Sequence, residues 1–300
     1  MGTVPSVGVR CQSYAKINLY LDVLSRRDDG FHNIETLFQS VSLCDELDCN
    51  PAESGLTMRI EGSDLEADED NLVMRAARRL HEQFNVAQGA ELVLRKRIPV
   101  AAGLAGGSGD AAAALLGLNR LWDVNASIGE LEAIAAKLGS DVPYCLHGGT
   151  MAGTGRGEHL KVLPAVEPSW FILAHPPISV STPEIFNHPA LQKSNEPLEG
   201  NGRSRPFNEA IISCARGRLP EVFVNTLESA ALVAYPEIEG YKTALRDAGC
   251  SGVLMSGSGP TVFGLCDNEA HGKSIQNSLT SITASVVHTV DAGVVLEGLK

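Results

Sequence analysis

The feature that most constrains this 300-residue chain is a glycine-rich segment, PVAAGLAGGSGDAAAALL, at residues 99–116. A predicted strand at 90–95 precedes it, and a helical pattern at 111–122 follows it. Backbone N–H groups are free at the start of a helix and the helix dipole is positive there, so this junction favours an anion. The segment therefore predicts a phosphate-binding loop, although a tight strand-to-helix turn without a ligand has the same pattern.

The residue types within the segment suit a phosphate. Glycine at four positions lets the backbone approach phosphate oxygens closely. The Ser108 hydroxyl can coordinate Mg²⁺ through its oxygen or donate a hydrogen bond to a phosphate oxygen. The lysine of the P-loop and the Gly-x-Gly-x-x-Gly pattern of dinucleotide-binding folds are both missing here. The sequence thus excludes two common phosphate-binding motifs and leaves a different kind of loop.

The overall charge argues against polyanionic partners. With 24 Lys and Arg against 36 Asp and Glu, the formal net charge of -12 repels nucleic acid and anionic lipid. Residues 1–6 fit the loose myristoylation pattern, but no second lipid signal and no long apolar stretch follow. The seven cysteines are scattered without metal or redox spacing, and we interpret them as reduced thiols. We therefore expect a cytoplasmic protein with neither nucleic acid nor a membrane as partner.

The first half of the chain mixes strand and helix patterns. Residues 13–23 alternate apolar and polar side chains, and the turn signal at 28–30 separates this strand from an extended segment at 31–43. Asp70 is the candidate N-cap of a helix that begins at Leu72. The capping box of Ser127 and Glu130 predicts a further helix at 127–138.

The second half, beyond Pro164, has its own strands and helices. A buried strand at 170–174 is followed by a polar stretch at 192–206 that predicts a mobile surface loop. Beyond it we predict helices at 207–216, 219–232, 237–248 and 268–280, a strand–turn–strand around 256–259, and a final strand. Interleaved strands and helices in both halves predict an α+β protein with two domains, residues 1–164 and 165–300.

Three segments in order resemble the motifs of the GHMP kinases, the family of galactokinase, homoserine kinase and mevalonate kinase. They are AKINLYL at 15–21, the glycine-rich segment at 99–116, and MSGSGPTVFG at 255–264. The resemblance implies two α+β domains, the second of them ferredoxin-like, with the active site in the cleft between them. It also implies ATP as co-substrate, Mg²⁺, and transfer of a phosphoryl group to a hydroxyl of a small molecule.

Within the family, the chain is most similar to the members that act on a methylerythritol linked to cytidine diphosphate, in non-mevalonate isoprenoid precursor biosynthesis. The segments that carry this likeness include DDGFHNIETLFQSVSL, LGSDVPYCLHGG and VSTPEIF. Two positions depart from the pattern: Phe31 stands where tyrosine is usual, and Gly109 where a second serine is frequent. The likeness implies the small-molecule substrate, whose 2-hydroxyl would accept the phosphoryl group.

The resemblance implies a role for each matching residue. Asp141 matches the catalytic aspartate that accepts the hydroxyl proton, and Lys16 matches the lysine that keeps it ionised. Read without the resemblance, Asp141 is a turn or cap residue and Lys16 an exposed strand lysine. The residues expected to hold the ATP phosphates are Pro99, Gly103, Leu104, Ala105, Gly106, Gly107, Ser108 and Gly109, with Ser108 also the expected Mg²⁺ ligand.

The same likeness implies a site for the nucleobase and the rest of the substrate. His32 would select cytosine by hydrogen bonds, and Phe31 and Phe186 would stack on its two faces. Asn18 and Thr182 would contact the remaining substrate, and residues 257–259 would support the cleft. The role of Asp110 is left open. Two alternatives also stay open: a family kinase for another alcohol, such as mevalonate or homoserine, and a ligand-binding homologue without catalysis.

Overall fold

The computed structural model describes residues 7–299, and within that range the chain forms twelve strands and nine helices. The strands are β1 (Val9–Arg26), β2 (His32–Ala52), β3 (Leu56–Glu61), β4 (Gly89–Arg95), β5 (Thr150–Thr154), β6 (His159–Val162), β7 (Trp170–Ala174), β8 (Val224–Asn225), β9 (Ser251–Met255), β10 (Val262–Cys266), β11 (Ala284–His288) and β12 (Val294–Gly298). The helices are α1 (Leu72–Gln83), α2 (Gly106–Leu121), α3 (Ile128–Ala135), α4 (Val142–His147), α5 (Thr182–Asn187), α6 (Arg205–Ala215), α7 (Glu228–Ala234), α8 (Glu237–Asp247) and α9 (Glu269–Ser278). The myristoylation pattern at residues 1–6 lies outside the described residues.

The larger sheet is built on the long antiparallel hairpin of β1 and β2. Its strand order is β12-β1-β2-β4-β3, with β5 attached to β2, β6 attached to β5, and the short β8 parallel to β1. Gly30, at φ +87°, ends the turn between β1 and β2, as the turn signal predicts. The hairpin places Lys16 and Asn18 of β1 beside residues 36–40 of β2.

The smaller sheet has the order β11-β7-β10-β9, and every neighbouring pair is antiparallel. Numbered by their sequence within this sheet, the strands lie in the order 4-1-3-2. Helix α8 precedes the second of these strands and α9 precedes the fourth, which completes the βαββαβ pattern of a ferredoxin-like unit. The α+β architecture with a ferredoxin-like second part is therefore confirmed. The domain boundary at 164/165 stays a prediction.

Helix α2 lies very close to β1 and β2, because small residues line its buried side. Residues 111–114 are all alanine and all fully buried. A Cβ on Gly117 would come within 2.6 Å of the Cys11 sulfur and 2.9 Å of the Cys49 sulfur. This close packing fixes the start of α2, and with it the end of the glycine-rich loop, against the strand that carries Lys16.

Several predicted elements match the structure closely. The strand at 170–174 coincides with β7, and the helices at 237–248 and 268–280 correspond to α8 and α9. The capping box forms: the Ser127 hydroxyl accepts from the Glu130 N–H, and the Glu130 carboxylate accepts from the Ser127 N–H. The stretch 192–204 is irregular apart from one bridge between Leu198 and Ser204, whereas the last two residues of the predicted loop, 205–206, belong to α6.

Other predicted elements were wrong in position or type. The N-cap of α1 is Asn71, not Asp70, because the Asn71 side chain accepts from the Val73 N–H. Helix α2 begins at Gly106, five residues before the predicted start, since glycine fits a helix that packs against the Ile98 side chain. The helix predicted at 219–232 exists only from Glu228, because Val224 and Asn225 form β8 beside β1 and the other residues before Glu228 are irregular or in a turn.

No helix within residues 7–299 is both long enough and apolar enough to cross a membrane.

Candidate active site

A cleft of about 910 Å³ contains most of the residues that the sequence singles out. Its walls come from β1, the β1–β2 turn, the glycine-rich loop, the start of α4, α5 and the loop between β9 and β10. Both halves of the chain therefore contribute to it. The predicted site residues that line the cleft are Lys16, Asn18, Phe31, His32, Pro99, Gly103, Ala105, Gly106, Gly107, Ser108, Asp141, Thr182 and Phe186.

The glycine-rich loop alternates between backbone conformations. Ala101, Gly103 and Ala105 have φ values of +51°, +74° and +57°, so two alanines adopt the left-handed region that glycine normally occupies. Successive N–H groups of a chain that alternates in this way point toward a common side and form an anion-binding concavity. The loop conformation thus supports phosphate binding over a simple turn.

Gly103 is required by contact as well as by φ. A Cβ built there would lie 2.1 Å from the carbonyl oxygen of Ser256, in the loop between β9 and β10. The Ser256 hydroxyl donates to the Gly103 carbonyl over 2.9 Å. The two glycine-rich loops therefore touch through their backbones, and Gly103 holds them together.

The start of α2 completes the loop. Its N-cap, Ala105, makes no side-chain cap, so the first N–H groups of the helix stay free to meet an anion. Gly106, Gly107 and Ser108 follow in the first turn. Two predicted residues lie outside the cleft wall: Leu104 is buried in the core, and Gly109 packs against Ser13.

Lys16 is nearly buried, and its ammonium is held at three points. It donates to the Asn18 side-chain oxygen over 2.8 Å and to the Gly103 carbonyl over 3.0 Å. It also lies 3.8 Å from Oδ2 of Asp141. Asn18 is oriented in turn by donating to the hydroxyl of Thr36. The lysine is therefore fixed between the glycine-rich loop and Asp141.

Asp141 occupies the N-cap position of α4 without acting as a cap. Its side chain makes no cap hydrogen bond, and about a third of it is exposed in the cleft. A capping aspartate would turn its carboxylate onto the N–H groups of the helix. Asp141 instead presents its carboxylate to the cleft beside the Lys16 ammonium, where it is accessible to a bound ligand.

Aromatic rings gather at the β1–β2 turn. Phe31 is 52% exposed, and the guanidinium of Arg156 lies over its ring, 4.7 Å from the centroid. The His32 and Phe186 rings lie 5.6 Å apart at 34°. Burial lowers the pKa of His32, with smaller contributions from Lys193 and Arg26, so its imidazole is neutral at pH 7. A neutral imidazole has one donor and one acceptor for a nucleobase edge.

Arg156 was not among the residues predicted for the site. It lies between Gly155 and Gly157 in the turn from β5 to β6, and its contact with Phe31 exists only because β5 pairs with β2. Two glycines around an arginine are the signal that could have drawn attention to it. Because Arg156 covers one ring face, a base can stack on the other face of Phe31 only.

Thr182 joins the cleft from the second half of the chain. Its hydroxyl and that of Ser258 are 2.8 Å apart and hydrogen bonded. The loop that carries Ser258 is fixed by Asn225, whose amide donates to the carbonyls of Met255 and Gly257 over 2.8 Å each. The β8 segment, which was predicted as helix, therefore supports the third motif.

A buried charged cluster lies behind the glycine-rich loop. Lys96 donates to Asp45 over 2.5 Å and to Asp110 over 2.7 Å, and Asp110 accepts from the Ser13 hydroxyl. Burial raises the pKa of Asp110 to about 7 against the opposing effect of Lys96. Burial lowers the pKa of Lys96, but the two carboxylates outweigh it and raise that pKa. The role of Asp110 was left open by its sequence pattern, and Lys96 was not among the residues predicted for the site.

A metal ion has few protein ligands available here. Within residues 7–299 no group of three or more His, Cys, Asp or Glu side chains could hold one. The Ser108 hydroxyl, in the first turn of α2, makes no hydrogen bond to another described residue. Mg²⁺ keeps several waters and binds through substrate phosphates with one or two protein ligands, and the Ser108 hydroxyl is the candidate ligand that this loop offers.

Comparisons with known proteins agree with this geometry. Residues 71–149 match the family model for the GHMP kinases N terminal domain, and residues 202–283 match that for the GHMP kinases C terminal. The 4-diphosphocytidyl-2-C-methyl-D-erythritol kinase of Shouchella clausii (strain KSM-K16) is 41% identical over 266 residues, which cover 88% of each chain.

Solved structures give the same result. A crystal structure of a 4-(cytidine 5'-diphospho)-2C-methyl-D-erythritol kinase superposes with a TM-score of 0.78 at 34% identity, over 93% of this chain and 98% of that one. A homoserine kinase from Cytophaga hutchinsonii ATCC 33406 superposes with a TM-score of 0.73 at 19% identity, covering 99% of each chain. The second likeness shows a shared fold alone.

Proposed function

The chain belongs to the GHMP kinases, a family of ATP-dependent small-molecule kinases, and on that premise we propose that it phosphorylates the 2-hydroxyl of 4-diphosphocytidyl-2-C-methyl-D-erythritol. The products are the 2-phosphate and ADP, in non-mevalonate isoprenoid precursor biosynthesis. The observation that carries the proposal is the Lys16–Asp141 pair, which faces the phosphate loop across one cleft. The cytoplasmic location expected from the sequence is part of the proposal, since the reaction consumes ATP.

Asp141 acts as the base in this mechanism. Its carboxylate is exposed to the cleft and is not engaged in helix capping, so it can accept the proton of the 2-hydroxyl as the new O–P bond forms. The γ-phosphorus is attacked in line, and ADP leaves from the opposite side. No phosphorylated enzyme group is needed, because the hydroxyl oxygen is itself the nucleophile.

Lys16 supplies fixed positive charge beside the reacting groups. Its ammonium favours the ionised form of Asp141 and stabilises the charge that spreads over the transferred phosphoryl oxygens. Because Asn18 and the Gly103 carbonyl already hold it in place, little reorganisation is needed when the substrates bind. The shared Gly103 contact also links the position of the lysine to the position of the phosphate loop.

The loop and the start of α2 hold the ATP phosphates. Free N–H groups at Gly106, Gly107 and Ser108 meet the phosphate oxygens, and the Leu72 side chain beside Gly107 begins an apolar surface suited to the adenine ring. Ser108 would hold Mg²⁺ together with phosphate oxygens and water. That ion supplies charge screening to the transferred phosphoryl group.

The substrate's cytosine binds at the β1–β2 turn. The exposed Phe31 ring offers one stacking face, Phe186 closes the opposite side next to His32, and the neutral His32 ring reads the base edge. Thr182, held by Ser258, and Asn18 contact the methylerythritol portion. A substrate without a base, such as mevalonate or homoserine, would leave these aromatic rings without a partner.

The test is ADP release by the purified protein with ATP, Mg²⁺ and the cytidyl substrate, run beside mevalonate and homoserine. Turnover with the cytidyl substrate alone is the expected result. Turnover only with another alcohol would keep the fold and the catalytic pair but overturn the substrate. Tight binding of the cytidyl substrate without turnover would overturn the catalytic reading itself.

A further inference from the structure

The buried cluster behind the phosphate loop has a particular connectivity. Asp45 accepts from the backbone N–H groups of Arg97 and Ile98, the residues at which the chain enters the loop. Asp110 lies on the first turns of α2, at which the chain leaves the loop. One ammonium, that of Lys96, bonds to both carboxylates. A single side chain therefore ties the entrance of the loop to its exit.

The cluster is also close to where phosphate would bind. Lys96 and Asp110 both belong to the cleft wall, and a Cβ on Gly106 would lie 3.2 Å from the Lys96 ammonium. The side chains of Lys96, Asp45 and Asp110 are each at most 4% exposed, so solvent screens their charges weakly. Without the ammonium, Asp45 and Asp110 would lie directly behind the loop with no cation beside them, and the negative charge that stays on this pair would oppose an incoming polyphosphate.

We propose that Lys96 is a positioning residue for nucleotide binding, which balances the charge of Asp45 and Asp110 behind the phosphate loop and joins the two ends of that loop. The inference rests on the proposed function only in that the loop binds ATP. The ammonium acts through the two carboxylates and the backbone they hold. Its loss both loosens the loop and leaves negative charge beneath the phosphates.

The experiment measures ATP affinity by calorimetry, without the second substrate, for wild type and three variants. Lys96→Met is expected to weaken ATP binding by at least about tenfold, since an uncompensated buried charge remains. Asp110→Asn keeps the shape, removes one negative charge, and is expected to bind ATP at least as tightly as wild type. The double variant Lys96→Met/Asp110→Asn is expected to recover a large part of the lost affinity.

Lys242→Met is the matched control. Lys242 is another buried lysine, paired with Glu228 over 2.5 Å on the side of the second sheet, so its loss reports the general effect of breaking a buried ion pair. It is expected to lower the melting temperature without a comparable loss of ATP affinity. In steady state, Lys96→Met is expected to raise KM for ATP much more than KM for the alcohol.

Two outcomes would overturn the proposal. One is a Lys96→Met protein with reduced stability but wild-type ATP affinity, which would make the cluster purely structural. The other is a more than fivefold loss of affinity in Asp110→Asn, which would show that the charge balance is not the cause; this test remains available if Lys96→Met does not fold. These experiments use ATP alone, so their outcome does not depend on which alcohol the enzyme phosphorylates. The role of Lys96 could therefore hold even if the proposed substrate were wrong.

Discussion

The Lys16 ammonium lies 3.8 Å from the carboxylate of Asp141 while it donates to the Gly103 carbonyl at 3.0 Å. One positive charge thereby contacts both the proposed base and the proposed phosphate loop. A shift of the loop moves the lysine, and a shift of the lysine changes the field at Asp141. Under the proposed function, phosphate binding and proton acceptance would therefore depend on the same positions of Lys16, Gly103 and Asp141.

Replacement of Asp141 by asparagine should remove the base and keep the shape of the site. We expect kcat to fall by about 10²–10⁴-fold, with KM for both substrates changed little and no loss of melting temperature. Steady-state kinetics with thermal unfolding measures both effects. Asp247→Asn, at the exposed end of α8, is the control and should keep wild-type kinetics. A large rise in KM without a fall in kcat would contradict the role of Asp141 as a base.

Arg156→Ala should weaken binding of the cytidyl substrate. Loss of the cation over the Phe31 ring frees the ring and removes a favourable contact, so we expect KM for this substrate to rise about 3- to 10-fold. KM for ATP and kcat should stay near their wild-type values. Arg205→Ala, an exposed arginine paired with Glu209, is the matched control. An equal rise in KM for ATP would show that Arg156 does not act through the base site.

Ala105→Gly should stabilise the protein, because Ala105 has φ +57°. An alanine in the left-handed region is strained, and glycine relieves that strain, by roughly 0.5–1 kcal/mol after its larger unfolded-state entropy is counted. The same substitution at Ala133, exposed within α3, should instead destabilise by about 0.5–1 kcal/mol. Chemical denaturation of the two variants should give changes of opposite sign in the free energy of unfolding. A lower free energy of unfolding for Ala105→Gly than for wild type would rule out strain at this position.

Stability should fall in mild acid through His175. This residue is 8% exposed, its ring nitrogens are near the hydroxyls of Thr261 and Ser285, and burial lowers its pKa from 6.5 to about 4. The unfolded chain therefore binds a proton at His175 at a higher pH than the folded protein does. The stability associated with the neutral His175 ring is fully present above pH 6.5 and is lost as the pH drops toward 4. The difference corresponds to about 3 kcal/mol.

Denaturation of wild type and His175→Asn between pH 7.5 and 4 measures this contribution. The variant should have a lower free energy of unfolding than wild type at pH 7.5. The difference between the two free energies should become smaller as the pH falls below 6.5. If the free energy of unfolding changed with pH by the same amount in both proteins, His175 would not be the cause of the acid sensitivity.

Local patterns predicted those parts of the fold that local forces decide. The apolar alternation at 13–23, the capping box at Ser127 and the strand at 170–174 each depend on neighbours within a few residues. The β8 segment misled the prediction because its structure depends on pairing with β1, some 200 residues away in the chain. Its helical composition was overridden by that tertiary contact.

The site shows the same division. Lys16, Asp141 and the phosphate loop were found because motifs of the family carry them, and the structure brings them together; their roles remain predictions. Lys96 was missed because its meaning depends on Asp45 and Asp110, which lie 51 and 14 positions away and meet it only in the folded sheet. Arg156 was missed for the same reason, since Phe31 reaches it through the pairing of β5 with β2.

Strand β12 pairs with the first residues of β1, from Val9 with Gly298 to Ser13 with Val294. Until residues 294–298 have left the ribosome, that end of β1 is an open sheet edge, the kind of surface through which unfinished chains join one another. Closure of the sheet that carries Lys16 therefore waits for a segment some 280 residues further along the chain, a pairing of high contact order. A fragment of residues 1–164 lacks β12, so its β1 edge would stay unpaired. We therefore expect such a fragment to self-associate rather than to lose its secondary structure.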